Sequence, residues 1–221
     1  MSKELFLKSL LWLLELPLKI RKRIKKFLVI RGFRQVGKNF FFDPLFSSFP
    51  VDGTTQIGNN VFIGENAYWR GEICVGNNVM FGPKVTIFAG KHIFAVKGKS
   101  PRFITPYPRQ NSEPVVFEDE TWIAANVTIT GNVTIGIGAV VGAGSVVSSN
   151  VCPFTLSVGN PCRPVRQIFD DANLIIHLKE IGYNDGFAVE VVEKRKIFLE
   201  NKNIPFINYT DIYEPVIYKR L

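Results

Sequence analysis

The stretch Glu118–Val147 reads EDETWIAANVTITGNVTIGIGAVVGAGSVV, and a six-residue period runs through it. Counted from the residue before this stretch, every sixth position is apolar: Phe117, Ile123, Ile129, Ile135, Val141 and Val147. Two residues before each of them stands a small or β-branched residue: Val115, Thr121, Val127, Val133, Ala139 and Ser145. The same period runs upstream through Ile57, Ile63, Trp69, Val75, Phe81 and Ile87, and glycine follows four of these six.

This period of six excludes the two commonest patterns of secondary structure. An amphipathic helix places apolar residues at spacings of three and four, and an antiparallel strand alternates by two without a regular glycine. Units of six residues with two inward positions and a recurrent turn glycine predict a parallel β-solenoid, in which three units form one coil. Periodicity alone leaves the hand of the coil open, because parallel crossovers are right-handed in about 98% of cases.

Two segments of the chain carry a family resemblance. The first contains Trp122-Ile-Ala-Ala-Asn-Val127, and the second, Val158–Ile168, reads VGNPCRPVRQI. With the repeat, they make residues 51–168 similar to the hexapeptide-repeat acetyltransferases, in the branch of galactoside, maltose and nodulation-factor acetyltransferases and many surface-polysaccharide enzymes. The resemblance implies a left-handed parallel β-helix, a homotrimer and acetyl-CoA as the acetyl donor.

The expected fold is therefore mainly β, with helical segments at both ends. Residues 45–168 form the β-helix domain, residues 1–40 a helical arm, and residues 169–221 a helical extension. The period fails between residues 89 and 114, which predicts a projecting loop, and long loops on a rigid frame commonly carry function. The loop is rich in proline and basic residues. An anionic partner, such as a nucleotide diphosphate or the phosphates of CoA, would suit it.

His92 stands near the start of this loop, after Gly82-Pro-Lys-Val-Thr-Ile87, and is one of only two histidines. The resemblance implies that a histidine at this point is the catalytic base. A neutral imidazole can accept the proton that a sugar hydroxyl or amine loses as it attacks a thioester. His177 lies outside the repeat and is interpreted as structural. Two histidines are too few for zinc chemistry that needs three imidazoles, so no metal is expected.

The resemblance also implies donor and acceptor contacts. The pantetheine channel would be lined by Trp122, Ala124, Ala125 and Gly142, and the nucleotide phosphates would be met by Arg163 and Arg166. The expected acceptor contacts are Tyr68, Trp69, Arg70 and Lys91. Direct transfer is favoured over an acyl-cysteine intermediate, because none of the three cysteines adjoins a histidine in the sequence.

The net charge of +8 is concentrated at the N-terminus, where residues 1–26 hold eight Lys or Arg against Glu4 and Glu15. A basic groove along the whole domain, as for nucleic acid, is not indicated. The arm is too often interrupted by charge for a transmembrane span, and it lacks the order of a signal peptide. Two interpretations stay open: an amphipathic helix on an anionic membrane surface, and a helix packed on a partner subunit.

The function expected from these residues is acetyl transfer from acetyl-CoA to a sugar in bacterial O-antigen or other surface-polysaccharide synthesis. N-acetylation of a nucleotide-linked amino sugar is slightly favoured over O-acetylation of a glycan hydroxyl, because of the basic loop. The expected location is the cytoplasm, with the inner face of the membrane as a variant. An alternative of another class is a β-helical assembly module without catalysis.

Overall fold

The computed structural model describes residues 17–90, 95–103, 114–200 and 204–207. The strands are short: β1 Gln35–Val36, β2 Phe41–Phe42, β3 Gln56–Ile57, β4 Phe62–Ile63, β5 Tyr68–Arg70, β6 Ile73–Val75, β7 Met80–Phe81, β8 Thr86–Phe88, β9 Val115–Phe117, β10 Trp122–Ile123, β11 Thr128–Thr130, β12 Thr134–Ile135, β13 Val140–Val141, β14 Val146–Val147, β15 Thr155–Val158, β16 Arg163–Ile168 and β17 Phe206–Ile207. The helices are α1 Leu18–Gly32, α2 Asp171–Glu180 and α3 Asp185–Phe198, with a 3-10 turn at Pro101–Phe103.

The strands form three sheets, and the chain visits them in rotation. Sheet A has the order β1-β3-β6-β9-β12, sheet B the order β2-β4-β7-β10-β13-β15-β16-β17, and sheet C the order β5-β8-β11-β14. Pairing is parallel throughout, except that β15 and β16 are antiparallel. Phe62 lies opposite Met80 and Tyr68 opposite Thr86, so one coil takes 18 residues. The predicted coil of three six-residue units is confirmed.

The inward positions of the coil are the ones that the period predicts. All of the sixth-position residues and all of the residues two before them are buried, including the hydroxyl-bearing Thr55, Thr121 and Ser145. Aromatic side chains stack inside the coil, with ring centroids 4.9 Å apart for Trp69 and Phe81 and 4.8 Å apart for Phe81 and Phe117. Each coil therefore adds one layer to a continuous core.

Hydrogen-bonded side chains close the corner between sheets A and B. Asn39 donates to Asn60 at 2.8 Å, Asn60 to Asn78 at 2.8 Å, and Asn78 to Glu120 at 2.6 Å. All four residues have positive φ, a conformation that asparagine tolerates better than most residues. This ladder gives successive corners the same shape.

A long insertion interrupts the coil where the period fails. The chain leaves sheet C at Phe88 and enters sheet A at Val115, and Phe81 lies opposite Ile123. The backbone N–H of Gly90 donates to Oδ1 of Asn132 at 3.0 Å, which fixes the first residues of the insertion to the next coil. The strands resume in register, so the insertion leaves the coil intact.

Within the described residues, helices pack on the coil both before its first strand and after β16. Helix α1 ends at Gly32 and β1 begins at Gln35, before the expected start of the β-helix domain at residue 45. Helices α2 and α3 pack on Ile137 and Phe154 in a second, smaller core. No helix within the described ranges is long and apolar enough to cross a membrane.

The buried Arg195 ties the two C-terminal helices to the coil. Its Nη1 donates to the carbonyl oxygens of Ile168 and Phe169, at 2.9 Å each, and its Nη2 donates to Oδ1 of Asp171 at 2.6 Å. The charge is thus compensated although the side chain is fully buried. His177 packs on the rings of Phe154 and Phe169, consistent with its structural interpretation, and burial lowers its pKa.

Candidate active site

The expected donor residues lie along the outer side of sheet B. Trp122 on β10 faces outward and is 46% exposed, because side chains alternate along a strand and Ile123 faces the core. Its neighbours across the sheet are Met80 and Val140, and the row continues through Leu156 to Arg166. We call these outward side chains the donor row. It runs from an exposed indole to an exposed guanidinium.

The corner that follows sheet B brings Ala124, Ala125 and Gly142 next to the donor row. A Cβ at Gly82 would lie 2.7 Å from the backbone nitrogen of Ala125, and one at Gly142 would lie 2.6 Å from Cγ1 of Val158. The backbone N–H of Ala124 donates to the carbonyl of Val141 at 2.9 Å. Close stacking of these corners therefore requires small residues. Because the side chains are small, backbone atoms are exposed at this edge beside the indole of Trp122.

Arg163 and Arg166 lie on β16 at the far end of the donor row. Each side chain is exposed, and each donates to the carbonyl of its own preceding residue, at 2.8 Å for Arg163 and 2.9 Å for Arg166. Among the described residues, neither guanidinium forms an ion pair with a carboxylate. Their remaining N–H groups can therefore bind an anion such as a phosphate.

Tyr68 and Arg70, two of the expected acceptor residues, lie together on the outer side of sheet C. The guanidinium carbon of Arg70 is 4.0 Å from the centroid of the Tyr68 ring, a cation–π contact. Nη2 of Arg70 donates to Oγ of Ser48 at 3.0 Å. This packing holds the arginine over the tyrosine, at the strand that pairs with β8.

Phe88 belongs to the same group, although no motif in the sequence pointed to it. Its ring is 44% exposed, and its centroid is 5.8 Å from that of Tyr68. Phe88 is paired with Arg70 across the sheet and is the last strand residue before the insertion. We call Tyr68, Arg70 and Phe88 the acceptor cluster. The six-residue period could have indicated its third member, since the residue after each inward position faces outward.

The expectation that Trp69 contacts the acceptor needs correction. The Trp69 side chain is 0% exposed and packs edge-on against Phe49 and Phe81. It stands between the outward residues Tyr68 and Arg70, so the alternation of a strand turns it into the core. Trp69 shapes the coil beneath the acceptor cluster and has no exposed surface for a ligand.

Comparisons with known proteins indicate the family of the chain, although no family model matches it. The galactoside O-acetyltransferase of Lactococcus lactis is 30% identical over 161 residues, which are 72% of this chain and 75% of that protein. A solved hexapeptide-repeat acetyltransferase of Vibrio cholerae, in complex with acetyl-CoA, is 30% identical with a TM-score of 0.57. That match covers 71% of this chain and 80% of the other. The chain belongs to the hexapeptide-repeat acetyltransferase family.

Two further proteins are similar to this chain with different coverage. A galactoside acetyltransferase solved with coenzyme A is 28% identical, with a TM-score of 0.57 over 72% of this chain and 76% of its own. A Schizosaccharomyces pombe protein named as an acetyltransferase is 38% identical over 96 residues. The second match spans 43% of this chain and only 44% of that protein.

Two expected site residues of this hexapeptide-repeat acetyltransferase, His92 and Lys91, lie outside the described residues. The described structure fixes the point from which their segment leaves, at Gly90 beside the acceptor cluster. Among the described residues, no group of three His, Cys, Asp or Glu side chains is placed to hold a metal ion.

The cysteines of this family member offer little nucleophilic character. Cys152 and Cys162 are buried, and Cys74 is half-buried on the outer side of sheet A. Burial raises the pKa of the Cys162 thiol, and burial together with the charge of Glu72 raises the pKa of Cys74. A raised pKa disfavours the thiolate, which is the nucleophilic form.

Proposed function

We propose that this protein transfers an acetyl group from acetyl-CoA to a sugar acceptor. The donor row carries this proposal: an exposed indole and a backbone edge lead to two arginines on the same sheet. Trp122 and Arg166 are separated by three strand spacings, which at about 4.8 Å each make about 14 Å. A linear pantetheine arm with a phosphorylated nucleotide at one end suits this surface. The solved relatives with bound acetyl-CoA or CoA support the same donor.

The donor contacts follow from the chemistry of each position. Trp122, Ala124, Ala125 and Gly142 present apolar surface and backbone to the pantetheine arm. Arg163 and Arg166 supply N–H donors to the phosphates, where bidentate hydrogen bonds give both strength and orientation. We take the coil to be left-handed, as the family resemblance implies.

The acceptor cluster is proposed to bind the sugar. Aromatic faces suit the apolar C–H face of a pyranose ring, and Tyr68 and Phe88 expose two such rings. Arg70, held by Ser48 and by the Tyr68 ring, offers hydrogen-bond donors to hydroxyl or phosphate oxygens. Lys91, three residues after Phe88 in the sequence, is proposed to add a positive charge to the acceptor contacts.

His92 is proposed as the general base. It accepts the proton of the attacking hydroxyl or amine while that atom forms a bond to the thioester carbonyl. The tetrahedral intermediate then collapses, the carbon–sulfur bond breaks, and the CoA thiolate takes up the proton from the imidazolium. Direct transfer is favoured over an acyl-cysteine, because Cys152 and Cys162 are buried and the pKa of Cys162 is raised.

A homotrimer is proposed to complete the site. The donor row lies on sheet B and the acceptor cluster on sheet C, so a single coil presents the two groups on different faces. A neighbouring chain that sets its sheet C against this sheet B would bring donor and acceptor together. Light scattering should then give about 75 kDa, three times the chain mass of 24.9 kDa.

The acceptor class separates two versions of the proposal. The names of the galactoside O-acetyltransferases favour a sugar hydroxyl. The basic residues of the insertion favour a nucleotide-linked amino sugar of cytoplasmic surface-polysaccharide synthesis, such as an O-antigen precursor. Both versions use the same donor and the same base.

The decisive experiment measures acetyl-CoA consumption as free thiol with a panel of acceptors. Galactosides and maltose test the hydroxyl version, and nucleotide-linked amino sugars test the amine version. Acetylation of any acceptor in the panel supports the proposal that the protein is an acetyltransferase. The opposite result is binding of acetyl-CoA without release of thiol for any acceptor, whether the protein is a trimer or a monomer. That result would instead support the alternative of a non-catalytic assembly module.

A further inference from the structure

Helix α1 carries a concentration of positive charge that acetyl transfer does not use. It holds seven Lys or Arg residues and no Asp or Glu in 15 positions. Four of them, at the helical spacing of 0, 3, 4 and 7, line one side of a groove of about 450 Å³: Lys19, Lys22, Arg23 and Lys26. The opposite wall of this groove includes Phe41 and Phe62 of sheet B. We call the four cations the basic stripe.

Contacts with the coil hold α1 in a fixed orientation. Nζ of Lys25 donates to the carbonyl oxygens of Leu45 and Ser47, at 2.8 and 3.1 Å, and Val29 is buried. One member of the basic stripe, Lys22, lies 3.8 Å from Oδ1 of Asp43. Within the described ranges, no carboxylate forms an ion pair with the other three. The basic stripe therefore stays exposed because of how the helix is attached.

Large apolar side chains are exposed on the flank of the helix beside the basic stripe. Ile20 is 44% exposed and Phe27 is 56% exposed, seven residues apart and hence on one side of the helix. The guanidinium carbon of Arg31 lies 5.3 Å from the centroid of the Phe27 ring. The preceding residues 1–16 contain seven leucines. Phosphates alone would account for the cations but not for the exposed apolar side chains.

We propose that α1 docks on the surface of a membrane that contains anionic phospholipid. The basic stripe meets the lipid phosphates, while Ile20 and Phe27 enter the boundary between headgroups and acyl chains. The long stems of the lysines suit this depth, because they lie along apolar surface while the ammonium groups stay hydrated. None of these residues belongs to the donor or acceptor groups, so the proposal stands apart from acetyl transfer.

The test is co-sedimentation of the full-length protein with vesicles. We expect binding to mixed phosphatidylcholine–phosphatidylglycerol vesicles and little binding to phosphatidylcholine alone. Each basic residue near such a surface contributes about a five-fold factor in affinity, so Lys19→Gln, Arg23→Gln and Lys26→Gln together should weaken binding about 100-fold. The matched control removes the same charge from exposed lysines elsewhere: Lys38→Gln, Lys84→Gln and Lys179→Gln. It should change binding far less.

Two further measurements separate the apolar contribution from the charge. Ile20→Ser with Phe27→Ser should make the residual binding fully sensitive to salt. In the unmodified protein, raising the salt to about 1 M shortens the screening length to about 3 Å and should release most of the protein. This salt titration uses the unmodified protein, so it tests the contribution of charge to vesicle binding even if a substituted protein fails to fold.

Three results would overturn the proposal. The first is equal binding to both kinds of vesicle, and the second is an equal loss in the matched control. The third is the absence of vesicle binding. In that case residues 1–16, a second chain or duplex nucleic acid would occupy the surface of α1 instead of a membrane.

Discussion

Sheets B and C alternate along one coil, and their inward residues are of the same kind. Ile63 and Phe81 of sheet B and Ile87 and Ile129 of sheet C are all fully buried. Their outward residues differ, since sheet B exposes the donor row and sheet C exposes the acceptor cluster. On the proposed assignment of donor and acceptor, this coil separates stability from chemistry at the level of single positions. A substitution should therefore affect one of three properties, depending on its face: folding, donor binding or acceptor binding.

The largest expected effect separates chemistry from donor binding. Replacing His92 with alanine removes the proposed proton acceptor, and loss of a general base typically lowers the rate about 10²–10⁴-fold. We expect kcat for a hydroxyl acceptor to fall by that factor while KM for acetyl-CoA stays unchanged. The loss should be smaller for an amine acceptor, because a neutral amine can attack before it gives up its proton.

His177→Ala is the matched control for this measurement. His177 packs on Phe154 and Phe169 in the second core, so its loss should lower the stability of the helices and leave kcat intact. A His92→Ala enzyme with normal kcat on a hydroxyl acceptor would contradict the assignment of the base.

The next prediction compares the inner and outer sides of one strand. Phe81 and Met80 are neighbours on β7, but the first is fully buried and the second is half-exposed on the donor row. Phe81→Ala should reduce the free energy of unfolding by about 3–5 kcal/mol, because it leaves a cavity between Trp69 and Phe117. Met80→Ala should cost much less. Urea denaturation measures both, and equal losses would mean that the outward row is buried in the assembled protein.

Much of the coil could be predicted from the sequence because its rule is local. Each inward position recurs every six residues, and neighbouring coils repeat the same three units. The same rule also contradicts the assignment of Trp69 as an acceptor contact, since it occupies an inward position. Phe88 follows the rule as an outward residue, yet no motif marked it as functional.

The parts that could not be predicted depend on irregular spacing or distant contacts. At the start of the coil, Gln35 lies opposite Gln56, so this coil is longer than 18 residues and the period breaks. The packing of α2 and α3 depends on Arg195 reaching the carbonyls of Ile168 and Phe169, contacts that span more than 25 residues. No local sequence pattern predicts that a given arginine will be buried and will donate to backbone carbonyls so distant in the sequence.

Substitutions at the far end of the donor row should affect the donor alone. Arg163→Ala with Arg166→Ala removes two guanidiniums that are proposed to bind phosphates. Hydrogen bonds to charged groups contribute about 1.5–3 kcal/mol each when formed, and exposure reduces this. We expect KM for acetyl-CoA to rise about 10–100-fold while KM for the acceptor stays unchanged. Arg34→Ala, at an exposed arginine beside sheet A, is the control. A rise in the acceptor KM instead would assign these arginines to the acceptor.

The smallest effect is expected at the acceptor cluster. Phe88→Ala removes one of two exposed rings on sheet C while Tyr68 and Arg70 keep their mutual contact. Aromatic contacts contribute about 0.5–1.5 kcal/mol beyond area burial, so KM for the sugar should rise about 2–12-fold. KM for acetyl-CoA should not change, and Phe88→Tyr should restore the ring and most of the affinity. Thr134→Ala, on sheet A and also partly buried, is the matched control. If Phe88→Ala raised the acetyl-CoA KM and left the sugar KM unchanged, the donor would extend across sheet C, and the division of the two sheets by ligand would be wrong.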